Sequence, residues 1–207
     1  MANTDLHIRI KSKLGTTQQV LLYQEAVTLN IENFKTAAWE HRYLAPGAAM
    51  NAFLPMEVCI GVFQGIGHNG KISSKLLPAE YNTAWDIYSN SGALNVRKSS
   101  EPAPDDNSIE IHNKNNEISS AIIAKDGKPL FLCSVRPDFK VRFSLNSKIY
   151  IALSEFEITD PFFDAATLSR IPVGIDYEGQ QYLTIVLSEN EITGAVDINY
   201  DFFRFEN

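Results

Sequence analysis

A chain of 207 residues, 44% hydrophobic and 21% charged, can bury a substantial core without disulfides or metals, which sets it apart from disordered and disulfide-stapled proteins. Its net charge of −7 is unevenly held: residues 1–100 carry 9 Lys and Arg against 7 Asp and Glu, and residues 101–207 carry 9 against 18. Counterion release on a phosphate backbone needs a basic stripe, and without one neither nucleic acid nor anionic membrane is an expected partner.

The first residues have no basic n-region and no apolar h-region, and no apolar run reaches the roughly 18 residues of a bilayer span. No signal peptide or membrane insertion is therefore expected. A cytoplasmic location follows by default, with leaderless export as the alternative.

Leu6-His7-Ile8-Arg9-Ile10-Lys11 alternates apolar and polar residues, which predicts a strand with Ile8 and Ile10 inward and His7, Arg9 and Lys11 in water. Gln19–Tyr23 and Ala26–Ile31 read as further strands. In Ala38–Leu44 a period of two groups Trp39, His41 and Tyr43 on one face, with Glu40 and Arg42 opposite. After the break at Ala45-Pro46-Gly47, a strand is predicted from Met56 to Gln64. Gly65-Ile66-Gly67-His68-Asn69-Gly70 lacks the GK[ST] ending of a phosphate cradle and reads as a connection between strands. Asn82–Tyr88 and Ala93–Val96 are strands joined across Ser89-Asn90-Ser91-Gly92.

Ser99–Asn107 is rich in Pro and charge and empty of large apolar residues, the composition of a linker. Beyond it, Ser108-Ile109-Glu110-Ile111-His112 repeats the opening alternation. Ile118–Ala124 and Pro129–Cys133 form a predicted hairpin across Asp126-Gly127, and Val141–Leu145 alternates again. Lys148-Ile149-Tyr150-Ile151-Ala152-Leu153 then echoes Glu57-Val58-Cys59-Ile60-Gly61-Val62: a charge, a β-branched residue, Cys or Tyr, Ile, a minimal residue, an aliphatic one. Both follow a Pro-led stretch with a phenylalanine. Asp160–Arg170 alternates too little for a strand and predicts a short helix or an ordered loop. Gln181–Leu187 and Ala195–Phe205 close the chain as strands.

The expected fold is thus all-β with little helix: an antiparallel β-sandwich of two tandem, sequence-related modules packed together, residues 1–100 and 108–207, joined by a linker at 101–107. Both faces of the echo strands are apolar through Cys59, Gly61 and Phe63 and through Tyr150 and Ala152, so each face needs cover from the partner repeat or from another subunit.

No nucleophile elbow and no metal-ligand spacing is present, and His7, His41, His68 and His112 are scattered. No catalytic residue, metal site or cofactor is expected. Cys59 and Cys133 sit in apolar runs and are expected to be buried thiols rather than a disulfide. The functional expectation is a non-enzymatic structural or interaction protein that self-associates as a homo-oligomer. One alternative is a lectin-like module presenting Trp39, Tyr43, Trp85 and Tyr88 to a glycan. A second is a hydrolase with an acidic site from Glu155 and Glu157 to Asp160 and Asp164.

Overall fold

A computed structural model describes residues 5–28, 34–65, 70–154, 162–163 and 172–203. Every regular element among them is a strand, and no helix is long and apolar enough to cross a membrane. In the first half the strands are β1 (Leu6–Lys13), β2 (Gln18–Tyr23), β3 (Ala26–Val27), β4 (Phe34–Leu44), β5 (Ala49–Leu54), β6 (Cys59–Gln64), β7 (Lys71–Ile72), β8 (Leu77–Pro78), β9 (Thr83–Asn90) and β10 (Ala93–Lys98). In the second they are β11 (Ile109–Asn113), β12 (Ser119–Lys125), β13 (Lys128–Val135), β14 (Lys140–Leu145), β15 (Lys148–Ser154), β16 (Phe162–Phe163), β17 (Val173–Asp176), β18 (Tyr182–Glu189) and β19 (Val196–Phe203).

Three sheets result, and the all-β sandwich read from the sequence is what the chain adopts. One has four strands in the order β19-β18-β1-β5, and one has five in the order β10-β9-β11-β14-β3. The third runs β17-β15-β2-β4-β13-β12-β6-β7, with β8 also on β6 and β16 on β4. Pairing is antiparallel except at β1 with β18 and β9 with β11. The order is palindromic. Exchanging β2 with β12, β4 with β13, β6 with β15 and β8 with β17 reverses the central run and leaves it unchanged; exchanging β1 with β11, β5 with β14, β18 with β9 and β19 with β10 likewise turns β19-β18-β1-β5 into β10-β9-β11-β14.

Each sheet takes strands from both halves of the chain. Residues 1–100 and 108–207 therefore share their hydrogen-bonded ladders, and the stretch 101–107 does not mark a division between sheets. Their apolar faces meet in one continuous core running from Leu6, Ile8 and Ile10 through Ile60 and Val62 to Ile109, Ile111, Ile149 and Ile151. Each such side chain, fully buried, stabilises the fold by about 1.5–3 kcal/mol before conformational entropy is counted. At its centre Phe131 packs edge to face on Phe143 and Phe34, with ring centroids 5.1 and 5.5 Å away.

The second face of the ten-stranded sheet is apolar too, as the echo strands require, and it finds cover within the chain. Leu21, Tyr23 and Ala152 pack with Tyr150 and Phe163, while Phe63 and Ile122 pack with Phe162, Ile72 and Leu76. Phe162 and Phe163 belong to β16, which pairs with β4 inside the stretch Asp160–Arg170 for which a helix or loop was expected. The rest of that stretch lies outside the described residues, as do Leu29 and Ile31 of the third predicted strand.

Two backbone irregularities set which side chains face inward. Opposite β2 the register of β4 jumps from Glu40 to Ala38, so Trp39 has no cross-strand partner. Opposite β12 the register of β13 jumps from Phe131 to Pro129, leaving out Leu130. The extra residue of a β-bulge breaks the period of two, and both bulged side chains are buried. The turns obey their composition: Ser91-Gly92 and Asp126-Gly127 all take positive φ, as two-residue hairpin loops require.

Because neither half holds a complete set of paired strands, residues 1–100 and 108–207 expressed separately should be insoluble or unfolded. Co-expressed, they should copurify as one folded particle, as read by circular dichroism and size exclusion. Two independently folded, non-associating halves would contradict the shared ladders.

Candidate interaction surface

The outward residues of β1 are those its alternation predicts, and the register decides what stands beside them. His7 is level with Phe53 on β5 and with Tyr182 on β18, which is level with Phe203 on β19. Four aromatic side chains thus lie in one row across the four-stranded sheet. The His7 ring stacks on Tyr182 at 5.1 Å and meets Phe53 edge-on at 5.1 Å. The row two residues along reads Asn51, Arg9, Thr184, Asp201. No short-range sequence signal would have revealed this row, because each ring comes from a different strand.

One edge of that sheet is β19, which pairs with β18 alone among the described residues; the other is β5. The inner face of β19 carries Val196, Ile198, Tyr200 and Phe202 and overhangs the core, leaving Tyr200 47% exposed, with Phe203 54% exposed on the other side. Its outer face carries Asp197, Asn199 and Asp201. One edge of the five-stranded sheet, β10, holds the equivalent place in the strand order and ends in Arg97 and Lys98. The Arg97 guanidinium lies 4.6 Å above the Tyr88 ring and 3.6 Å from Asp86.

Behind β10 the outer face of the five-stranded sheet is a charge network. Arg97 is level with Asp86, Asp86 with His112, and His112 with Lys140; Glu110 is level with Arg142. His112 is 1% exposed, and its Nε2–H donates to Glu110 Oε1 at 2.6 Å. The Nδ1 atom lies 3.4 Å from Asp86 and 3.5 Å from Glu101. Arg142 donates to Glu110 from Nη2 at 2.7 Å and to Asp106 from Nη1 at 3.0 Å. Lys140 and Lys114 both bind Glu101, the former at 2.7 Å.

Glu101 and Asp106 stand at either end of the predicted linker, which is therefore a strap tied across this network. Ser99 N–H donates to Ala84 O at 2.8 Å, and Asn107 N–H to Asn82 Oδ1 at 2.8 Å. The Lys114 and Lys140 ammoniums hold the Glu101 carboxyl down at about 2. The Ser108 hydroxyl and Arg142 lower Asp106. Burial works to raise Glu110, but the hydrogen bonds from His112 and Arg142 together outweigh it and leave it lowered.

Of the residues singled out from the sequence, Trp39 is 4% and Trp85 5% exposed, so neither indole offers a face to solvent. The bulge turns Trp39 and Glu40 inward together, where Lys128 binds Glu40 and lies 5.9 Å over the Trp39 ring. His41 and Tyr43 point out, Tyr43 at 59% exposure. The face expected to hold Trp39, His41 and Tyr43 together is thus divided by one extra residue. Trp85 donates from Nε1 to Thr83 Oγ1 at 2.9 Å, and Tyr88 is half-buried under Arg97. Cys59 and Cys133 are free thiols, with burial pushing Cys133 up to about 12. Glu155, Glu157, Asp160, Asp164 and His68 lie outside the described residues. Among those described, no group of three or more His, Cys, Asp and Glu is arranged to hold a metal ion.

The sequence matches no protein-family model, and no curated protein shows significant similarity to it.

A carboxylate held below its usual value contributes stability above that value and loses it as pH falls through the lowered one. The strap should therefore be fully tied above the ordinary Glu value of 4.5 and loosen toward about 2. Protection of the Glu101 and Asn107 amides from hydrogen exchange, measured against the intrinsic rate at each pH, should fall over that window. In Glu101→Gln the lower protection should already be present at neutral pH.

Proposed function

We propose that this protein is a non-enzymatic interaction module that self-associates through the edges of its two smaller sheets, the acidic β19 of one copy pairing with the basic β10 of the next. The observation that carries this reading is that two edge strands in equivalent places of the strand order bear opposite charge and apolar undersides. An unpaired edge presents backbone donors and acceptors to another chain. If Arg97 meets Asp197 in an antiparallel pair, the register also sets Val96 beside Ile198 and Leu94 beside Tyr200. One face of the junction is then charged and complementary, and the other extends the core. Head-to-tail addition of this kind uses two different surfaces and so builds a ring or a filament rather than a two-fold dimer.

The covered second face of the ten-stranded sheet takes no part in this contact. The palindromic strand order supports a related reading, that the halves are sequence-related repeats. So does a constant separation of 91 residues that relates Met50–Ile60 to Val141–Ile151, and so do two bulges at matching positions.

Light scattering over a hundredfold concentration range should show mass growing with concentration and shrinking with salt, because the contact includes exposed ion pairs. Arg97→Asp and Asp197→Arg should each give a monomer, and an equimolar mixture of the two should restore growth, because each variant then presents two edges complementary to the other. A native protein that stays monomeric at every concentration would sink the proposal.

A further inference from the structure

Away from these edges, the turns β5–β6, β14–β15 and β17–β18 converge on a cavity of about 720 Å³. This is the size of a small-molecule site. Val58, Leu145, Tyr81 and Tyr177 give it apolar wall, and Asn146 and Gln180 are among its amides. Lys125, the last residue of β12, lines it while only 4% exposed. Among the described residues no carboxylate lies within 4 Å of its ammonium and no hydrogen-bond acceptor meets it. Asp5 acts on it from further away and is itself engaged, accepting from Met56 N–H at 3.0 Å.

A buried ammonium whose nearest carboxylate is distant and already engaged is costly, and such groups are retained where something else supplies the charge. Its surroundings make the point sharper. Exchanging β12 for β2 brings Lys125 onto Gln24, which is wholly buried and donates from Nε2 to the Tyr177 hydroxyl at 2.9 Å and to Lys148 O at 3.2 Å. At one of two matching positions the side-chain NH2 is thus taken up by internal hydrogen bonds, and the other is left facing the cavity with a positive charge. The Tyr177 hydroxyl, having accepted from Gln24, keeps its own proton for a ligand, because burial pushes it up to about 12.

We propose that this cavity binds a small hydroxyl-bearing carboxylate of the size of a sugar acid, with the carboxylate on Lys125, the ring between Tyr81 and Tyr177, and hydroxyls on the Asn146 and Gln180 amides. A single ammonium, with Glu178 also on the lining, matches one negative charge better than the two of a phosphate. The site is independent of the edge contact and goes beyond it.

The test is titration calorimetry of the full chain with glucuronate, galacturonate, N-acetylneuraminate, glucose and inorganic phosphate. At least one of the three acids should bind, with glucose and phosphate at least tenfold weaker. Burial holds Lys125 at about 8, with Asp5, Glu178 and the two tyrosines the titratable groups around it, so affinity should fall as pH rises past that value. Lys125→Met should lower affinity tenfold or more while leaving the melting temperature unchanged or higher, since an unpaired buried charge is removed. If that variant does not fold, the native chain with 13C-methylated lysines gives a second readout: the Lys125 resonance should titrate at higher pH with the bound acid than with glucose. Failure of all three acids to bind, equal binding of glucose, or full affinity in a folded Lys125→Met protein would each overturn the proposal. An oligomer that forms normally in Lys125→Met would leave the edge contact standing whichever way the cavity result falls.

Discussion

Backbone pairing between the two halves of the chain is the constraint from which the rest of the architecture follows. β6 hydrogen-bonds to β12, β15 to β2 and β4 to β13, so the ten-stranded sheet closes only when both halves are present. The smaller sheets repeat the arrangement, with β18 parallel to β1 and β9 parallel to β11. A buried strand with unpaired N–H and C=O groups would lose more than its side chains gain, and here each half satisfies the other. The shared core is a consequence of that exchange.

Exchange also explains where polar chemistry collects. Parallel partners such as β9 and β11 need a long connection, and this one passes through residues 99–107 over the outer face of the sheet. That face would otherwise expose Asp86, Glu110 and His112 to water; the strap instead encloses them and brings Glu101 and Asp106 to the lysines and arginine that neutralise them. Charge here fastens a connection. At the opposite extreme, Lys125 faces a cavity with no ion pair among the described residues and only the more distant Asp5 to offset its charge. Between the two lie the sheet edges, where β10 and β19 stop pairing and their charges differ in sign.

Some of the candidate surface was within reach of sequence patterns and some was not. The outward placement of His7 follows from alternation in Leu6–Lys11, because the side-chain period of a strand is fixed by its pleat. β19 was legible for the same reason. β5, by contrast, opens with Ala49, Met50, Asn51 and Ala52, residues with little strand preference, and these four are in a strand because β1 pairs with them. Trp39 and Tyr43 looked like neighbours until a bulge opposite Leu22 and Tyr23 separated them, and one inserted residue leaves no mark on composition.

The sequence by itself determined the class of the protein: alternation, turn residues at Ser91-Gly92 and Asp126-Gly127, and the absence of a helical period dictate an all-β chain, whereas the single shared core is a product of the tertiary structure. It also contained the echo between Glu57–Val62 and Lys148–Leu153. Only the tertiary structure decided which strands meet, and hence that Phe53, His7, Tyr182 and Phe203 share a row, that residues 101–107 form a strap, and that Lys125 faces a cavity. The physical reason is that periodicity is local, written in the two faces of one strand, whereas register and partner choice arise from packing between segments more than a hundred residues apart.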